Sequence, residues 1–285
     1  MSVLAIGGMC WQRILLYNAL AFALQLPLGV LLDMRPRFAR GSFIAGTSLV
    51  CAATLAAALG ARGWFALSAA CVGNAMFHLT AGKYVLETHG GRSGPIGMFI
   101  STGALGLLAG SLGVEHAAVA CLLTFAALLA ACVVVTGRDI GWRKSTGKTP
   151  VVPAGGTPIV PMAILVVLFA LVVWRSWAGL EASRLTAAQG MAFILACAAV
   201  TLGGKIAGGY LAERVGRWPV TAASVCGSVA LAFACSPQSV MAWLALLFVA
   251  QLATGPVLSL VYDNTGQKGG TAFGLNCLGL FAGSL

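Results

Sequence analysis

The chain has 285 residues, of which 59% are hydrophobic and only 8% are charged, and its formal net charge is +10. Soluble domains carry about 25% charged residues, so this composition excludes a soluble globular protein and predicts an all-α membrane protein with several spans. The apolar runs are about 20 residues long and lack the two-residue alternation of a membrane β-barrel. The excess of Lys and Arg is typical of cytoplasmic loops, and no nucleic-acid partner is expected.

Ten apolar runs follow one another along the chain, and each predicts a membrane-spanning helix. Most Lys and Arg residues fall in the odd-numbered turns, which predicts that these turns are cytoplasmic and that both ends of the chain lie outside. A polar, basic segment rich in Pro and Gly, 137–157, predicts a cytoplasmic linker between two helical bundles, 1–136 and 158–285. The runs cover residues 13–33, 41–60, 64–84, 95–114, 116–136, 158–177, 190–211, 219–236, 238–262 and 270–285.

Residue spacings typical of catalytic or metal sites do not stand out in this sequence. The nine cysteines are scattered through apolar runs and show no Cys-x-x-Cys or Cys/His spacing, so neither a metal site nor a cofactor is expected. We find no paired carboxylates, nucleophile–base pair or phosphate-binding loop, and we therefore do not expect an enzyme. The N-terminus also lacks the basic start and the cleavage site of a signal peptide.

Three pairs of similar segments, at nearly the same offset, predict that the chain contains two homologous halves. The two copies lie on the same side of the predicted membrane, so the repeat is parallel. The matching segments are Leu105–Leu112 and Leu278–Leu285 (seven of eight residues identical, offset 173), the pairs Glu87/Arg92 and Asp263/Lys268 (offset 176), and Asp33 and Glu213 (offset 180).

The turn at Gly209–Arg217, GYLAERVGR, resembles the loop signature of the major facilitator superfamily of secondary transporters, and a similar stretch begins at Gly29. The segment 73–87, GNAMFHLTAGKYVLE, resembles the fosmidomycin-resistance-like efflux branch of that family. The resemblance implies a fold of two bundles with twelve spans. The ten runs would then correspond to the second through the eleventh span, and the chain would be a fragment or a truncated form. A natural ten-span protein is the alternative.

In this superfamily the acidic and Arg residues of the loop signature form a charge-linked latch on the cytoplasmic face. A carboxylate at a helix end can bind the positive N-terminus of another helix, which stabilises one conformer; alternatively, these charges only set the topology. We expect Lys83 to pair with Glu87, four residues later, and Asp263 to pair across the two bundles. The candidate latch residues are Asp33, Arg37, Glu87, Gly209, Glu213, Arg214, Gly216, Arg217 and Asp263.

Polar residues inside the apolar runs are candidates for a substrate or proton pathway. His78 lies on one helix face with Asn74, and a membrane-embedded His commonly faces a cavity or a partner, where it can bind substrate or relay protons. The alternative for His78 is packing against a neighbouring helix. The alternative for Lys205 is snorkelling to the cytoplasmic surface, and the alternative for Arg175 is a position at the membrane interface. The candidate pathway residues are Asn18, Gln25, Asn74, His78, Arg175, Lys205, Gln251 and Asn276.

The predicted function is secondary active transport of a small solute by alternating access. The resemblance favours efflux, and His78 together with the acids of the membrane region suggests coupling to protons. The expected partners are the solute, the lipid bilayer and protons as coupling ion. Short loops and a high content of Gly and Ala favour a multi-pass protein of a prokaryotic inner membrane. The alternative is a truncated, non-transporting membrane protein with an assembly or scaffold role.

Overall fold

The computed structural model of the chain describes residues 11–59, 63–112, 127, 159–189, 191–234 and 239–285. Within these ranges the regular structure is entirely helical, and six helices are long and apolar enough to cross a membrane. The prediction of an all-helical protein with several potential spans is therefore confirmed. These six helical stretches are Leu15–Met34, Pro36–Ala56, Trp64–Thr88, Met162–Leu180, Ala192–Val215 and Val240–Asn264.

Eleven α-helices are described, together with a π-helical segment at Ala19–Ala23 and a 3₁₀ turn at Pro36–Phe38. The shorter apolar helix α11 is not among the six potential spans. The α-helices are α1 Trp11–Asn18, α2 Gln25–Met34, α3 Ala39–Ala58, α4 Trp64–Thr88, α5 Ser93–Leu112, α6 Ile159–Gln189, α7 Met191–Val215, α8 Arg217–Ala234, α9 Val240–Leu252, α10 Thr254–Asn264 and α11 Gly269–Ala282.

Helix α6 is longer than the sequence predicts. The apolar run ends at 177, whereas the helix continues to Gln189. The extension contains no Pro and is rich in Ala, Leu, Glu and Gln, which favour helix even where the sequence turns polar. The predicted span 116–136 and the linker 137–157 lie outside the described residues, apart from the single position 127, so ten spans and two sequence-defined bundles remain predictions.

Two prolines explain where long helical stretches are interrupted. Proline has no backbone N–H and cannot donate to the carbonyl four residues earlier. Pro256 thus leaves the Leu252 carbonyl without its usual partner, and α9 ends at that residue. Pro27 does the same for Ala23, the last residue of the π-helical segment, in which the Leu24 N–H donates to the Ala19 carbonyl at 3.1 Å.

The described residues belong to two compact units. The first comprises those within Met1–Tyr84, Ala109–Lys148 and Lys268–Leu278, and it therefore holds α1–α3, most of α4 and most of α11. The second comprises those within Val85–Leu108, Thr149–Gln267 and Gly279–Leu285, and it holds most of α5 and all of α6–α10. Each unit thus contains helices from both predicted halves of the sequence.

In the second unit, α7 crosses α9 at glycines that allow backbone contact. A Cβ built at Gly204 would lie 2.7 Å from the Phe248 carbonyl oxygen, and one at Gly208 would overlap the Leu252 carbonyl. Small residues at helix interfaces permit this close approach. The Leu252 carbonyl is the one that Pro256 leaves without a helical donor, so the glycine packs against a backbone group that lacks its usual partner.

We expect Gly208→Ala to lower the free energy of unfolding by about 1–3 kcal/mol, because the added methyl group must push two backbones apart. Gly41→Ala is the matched control, since Gly41 lies in α3 with nothing within 4 Å of a built Cβ. That control should be neutral or stabilise the protein by up to about 1 kcal/mol through helix propensity. Thermal unfolding of the two purified variants in detergent measures the difference. Equal shifts in the same direction would contradict this packing.

Candidate functional site

In the first unit, the carboxylate of Asp33 lies at the N-terminus of α11. Its Oδ1 accepts from the Gly270 N–H at 2.9 Å, and its Oδ2 accepts from the Thr271 N–H at 2.6 Å and from the Thr271 Oγ1 at 2.7 Å. The first four N–H groups of a helix lack intrahelical partners, so this carboxylate satisfies two of them and lies at the positive end of the helix dipole.

Lys83 supplies a countercharge to the same carboxylate. The Lys83 Nζ donates to Asp33 Oδ1 at 2.7 Å, and the two side chains are only 7% and 8% exposed. This contact spans 50 residues, and local spacing did not predict it. The pair of Lys83 with Glu87 stays a prediction. Asp33, Lys83, Gly270 and Thr271 are called the Asp33 junction below.

Glycines bring α2 and α11 close enough to form this junction. A Cβ at Gly29 would overlap the Gly270 carbonyl oxygen, and one at Gly274 would lie 2.6 Å from the Leu26 Cα. Gly29 is one helical turn before Asp33, so the close approach at the glycine places the carboxylate beside the first N–H groups of α11. Gly29, the first residue of the first loop signature, therefore allows α2 to pack closely against α11.

In the second unit, Glu213 makes a corresponding contact with the start of α5. Its Oε1 accepts from the Gly94 N–H at 3.0 Å, and its Oε2 accepts from the Arg92 Nη2 at 2.7 Å. The hydrogen bond to Glu213 raises the pKa of Arg92 above its ordinary value. A Cβ at Gly209 would lie 2.5 Å from the Ser93 carbonyl oxygen. Glu213, Arg92 and Gly94 are called the Glu213 junction below.

The other candidate latch residues lie at nearby helix ends. Gly216 joins α7 to α8 with φ +109°, a backbone conformation that favours glycine. Arg217 donates to the Asp263 carboxylate and, at 3.0 Å, to the Gly91 carbonyl. Asp263 was expected to pair across the predicted bundles, yet this partner belongs to its own half.

The exposed Arg37 lies 5.0 Å over the Phe38 ring, Arg214 is exposed, and Glu87 is half-buried next to the end of α4.

The two junctions differ in burial. The Asp33–Lys83 pair is largely excluded from solvent, whereas the Arg92 side chain is 62% exposed and that of Glu213 is 21% exposed. At the repeat offset of 176 residues, Ser259 corresponds to Lys83, and its hydroxyl accepts a neutral hydrogen bond from Ser93 at 2.9 Å. The first unit therefore has a buried ion pair where the second has a buried pair of hydroxyls.

We expect Arg92→Gln to lower the melting temperature only slightly, because an exposed ion pair contributes little and is screened by salt. The difference between the variant and the native protein should shrink further as NaCl is raised from 0.05 M to 1 M. Thermal unfolding in detergent at both salt concentrations provides the measurement. A large loss of stability that did not respond to salt would contradict the exposed position of this pair.

No protein-family model matches this chain, and no curated protein sequence matches it significantly. The resemblance to the major facilitator superfamily therefore depends on the two loop signatures and the segment 73–87 alone, and it stays a prediction.

The candidate pathway residues of the first unit lie on four of its helices. Asn18 and Gln25 flank the π-helical segment, and such segments occur frequently at functional sites. Gln25 is buried; it donates to the Ala21 carbonyl at 2.6 Å, and its Oε1 accepts from the Cys277 Sγ at 3.2 Å. Asn276, next to Cys277 on α11, is 3% exposed.

The remaining first-unit candidates, Asn74 and His78, lie half-buried on α4. The His78 ring stands edge-on to that of Phe77, with 5.4 Å between centroids. One turn further along the same face, a Cβ at Gly82 would overlap the Phe273 ring, so this face packs against α11 at that level. Packing thus accounts for part of the pattern that suggested a pathway.

In the second unit, the three pathway candidates lie on three different helices. Arg175 on α6 is 6% exposed, and its charge interacts with that of Lys205 on α7. A Cβ at Gly204, next to Lys205, would lie 2.9 Å from the Gln251 Cβ on α9. Gln251 accepts from the Thr254 hydroxyl at 3.0 Å, and both side chains are buried. The sequence named these three residues individually, and the close approach of α7 to α9 beside Gln251 was not predicted.

Proposed function

We propose that this protein is a secondary active transporter of the major-facilitator type, which moves a small solute across a prokaryotic inner membrane by alternating access. One observation carries the proposal. Two acids that are 180 residues apart each accept an N–H from the start of a helix in the opposite predicted half, Asp33 from Gly270 and Glu213 from Gly94. This reciprocal arrangement supports two homologous halves that meet through helix ends.

Such contacts suit a structure that must open and close. Each junction joins the end of one helix to the beginning of another through a few hydrogen bonds and one ion pair. Breaking them exposes polar groups that water can solvate, so the free-energy difference between two conformers can stay within a few kcal/mol. In the proposed cycle, the latch residues hold the cytoplasmic side closed and separate when that side opens.

The proposed coupling ion is the proton, and the proposed direction is efflux. His78 is the candidate relay because an imidazole changes charge near neutral pH and lies in a helix long enough to cross a membrane. The separation of Lys and Arg among the turns supports the assignment of the loop signatures to the cytoplasmic side.

Reconstitution of the full chain into liposomes that contain the pH indicator pyranine tests this function. Addition of a transported solute should change the internal pH at a rate that depends on protein and saturates with solute concentration. His78→Ala should abolish the pH change while the protein remains folded. A screen of organic anions, amines, sugars and amphiphilic drugs that produces neither proton movement nor solute flux would contradict the proposal and support an assembly or scaffold role.

A further inference from the structure

Three exposed arginines lie within six residues of one another, where α2 ends and α3 begins. They belong to residues 34–40, called the arginine turn below, and are Arg35, Arg37 and Arg40. Two stretches that are long and apolar enough to cross a membrane, Leu15–Met34 and Pro36–Ala56, are separated only by Arg35. The turn therefore cannot extend far from the apolar helices, and in a membrane its guanidinium groups would lie at the level of the lipid headgroups.

Acidic residues are scarce around this turn. Asp33 is the only Asp or Glu among residues 1–86, and its carboxylate already binds Lys83 and the first N–H groups of α11. The Arg35 side chain forms no hydrogen bond or ion pair with any described residue. The same holds for Arg37, whose guanidinium carbon lies 5.0 Å from the centroid of the Phe38 ring. The described part of the protein therefore does not neutralise these two cations.

The corresponding arginine of the second half does have an acidic partner. At the repeat offset of 180 residues, Arg37 corresponds to Arg217. Arg217 donates to the Asp263 carboxylate and to the Gly91 carbonyl. An arginine at this position of the loop signature can thus be neutralised within the protein, whereas Arg37 stays exposed without a described acid beside it.

Apolar side chains are exposed next to the arginines. Met34 is 74% exposed and Phe38 is 45% exposed. At the surface of a bilayer such side chains contact the upper part of the acyl chains, while neighbouring arginines reach the headgroups. A molecule that fits both features has an anionic head and an apolar tail.

We propose that the arginine turn binds the phosphate group of an anionic phospholipid of the surrounding bilayer. A guanidinium can donate two parallel hydrogen bonds to phosphate oxygens, and Arg35 and Arg37 supply two such groups. Phosphatidylcholine also has a phosphate, but its choline cation would meet the repulsion of the arginines, so lipids with a net negative charge are favoured. The inference goes beyond the proposed transport function and does not depend on it.

The test measures which lipids the full chain retains. Purified protein is equilibrated in detergent with equal amounts of phosphatidylglycerol and phosphatidylcholine, and native mass spectrometry counts the bound molecules of each. Phosphatidylglycerol should be preferred. The double variant Arg35→Gln/Arg37→Gln should lower this preference at least about fivefold, because each basic residue at an anionic membrane surface contributes about that factor. Both positions are exposed, so the variant should fold.

Arg214→Gln is the matched control. Arg214 is an exposed arginine in the other loop signature, next to the acid Glu213, so its loss should leave the lipid preference unchanged. An equal loss of preference in this control would mean that net charge, rather than the arginine turn, attracts the lipid, and it would overturn the inference. Equal retention of the two lipids by the native protein would overturn it as well, as would a preference that the double variant keeps.

A second measurement separates a lipid from a soluble anion. Phosphatidylglycerol should raise the melting temperature of the native protein more than that of the double variant, because a ligand that binds the folded state stabilises it. Inorganic phosphate should have no such effect. A shift of the same size with inorganic phosphate would assign the arginine turn to a soluble phosphate and overturn the lipid as its occupant.

Discussion

Lys83→Met is expected to lower the free energy of unfolding by about 3 kcal/mol. Removal of one member of a buried ion pair leaves the other charge uncompensated, which commonly costs about 3–5 kcal/mol. Asp33 would keep its hydrogen bonds to Gly270 and Thr271, so the lower end of that range is expected. Unfolding in mixed micelles with increasing denaturant provides the measurement.

A double-mutant cycle separates the ion pair from the packing of the Lys83 side chain. If the two charges interact as the structure indicates, Asp33→Asn combined with Lys83→Met should cost less than the sum of the single changes, by at least about 1 kcal/mol. Lys268→Met is the matched control, because Lys268 is exposed. It should have little effect alone and should add independently to Asp33→Asn. Additive effects of the Asp33 and Lys83 changes would contradict a direct pair.

The helices of this protein follow from the length and spacing of its apolar runs, and two of the interruptions follow from Pro27 and Pro256. The extension of α6 to Gln189 does not follow from hydropathy, because Glu181 and Arg184 make the segment resemble a polar turn. Helix propensity, which is independent of the membrane, continues the helix there.

The partners within the junctions could not be read from the sequence. Local spacing predicts that Lys83 pairs with Glu87, but it gives no sign of the contact with Asp33, because that contact depends on how α4 packs against α2. Asp33 and Glu213 were identified from the loop signature and the repeat, but Gly270 and Thr271 are more than 230 residues from Asp33. The sequence pointed to Gly270 and Thr271 only indirectly. A buried carboxylate in such a loop needs hydrogen-bond donors, and the free N–H groups at the start of a helix provide them.

Removal of the Asp33 carboxylate is expected to have the largest effect on the start of α11. The Gly270 and Thr271 amides have no intrahelical acceptor in the first turn, so their protection against hydrogen exchange should depend on Asp33. Loss of a capping carboxylate costs about 0.5–2 kcal/mol, which corresponds to exchange that is about 2–30 times faster. Hydrogen–deuterium exchange of a peptide that contains residues 269–272 measures this change.

The comparison is cleanest in a background without Lys83, because Asp33→Ala alone would leave a buried cation. Lys83→Met should leave exchange at residues 270 and 271 nearly unchanged, and Asp33→Ala added to Lys83→Met should accelerate it. Glu213→Ala is the counterpart in the other unit. It should accelerate exchange at Gly94 only modestly, because Glu213 is more exposed and its contact is more open to water.

The same variants test whether the Asp33 junction acts as a latch or only caps a helix. If the junction holds one transport conformer, loss of the carboxylate should reduce solute flux in liposomes at least tenfold relative to Lys83→Met, because the closed cytoplasmic side is no longer stabilised. A cap with a purely structural role predicts faster exchange at residues 270 and 271 with unchanged flux. That second result would mean that the charges of the first loop signature contribute only to stability and topology. Glu213 would then be the remaining candidate for the latch.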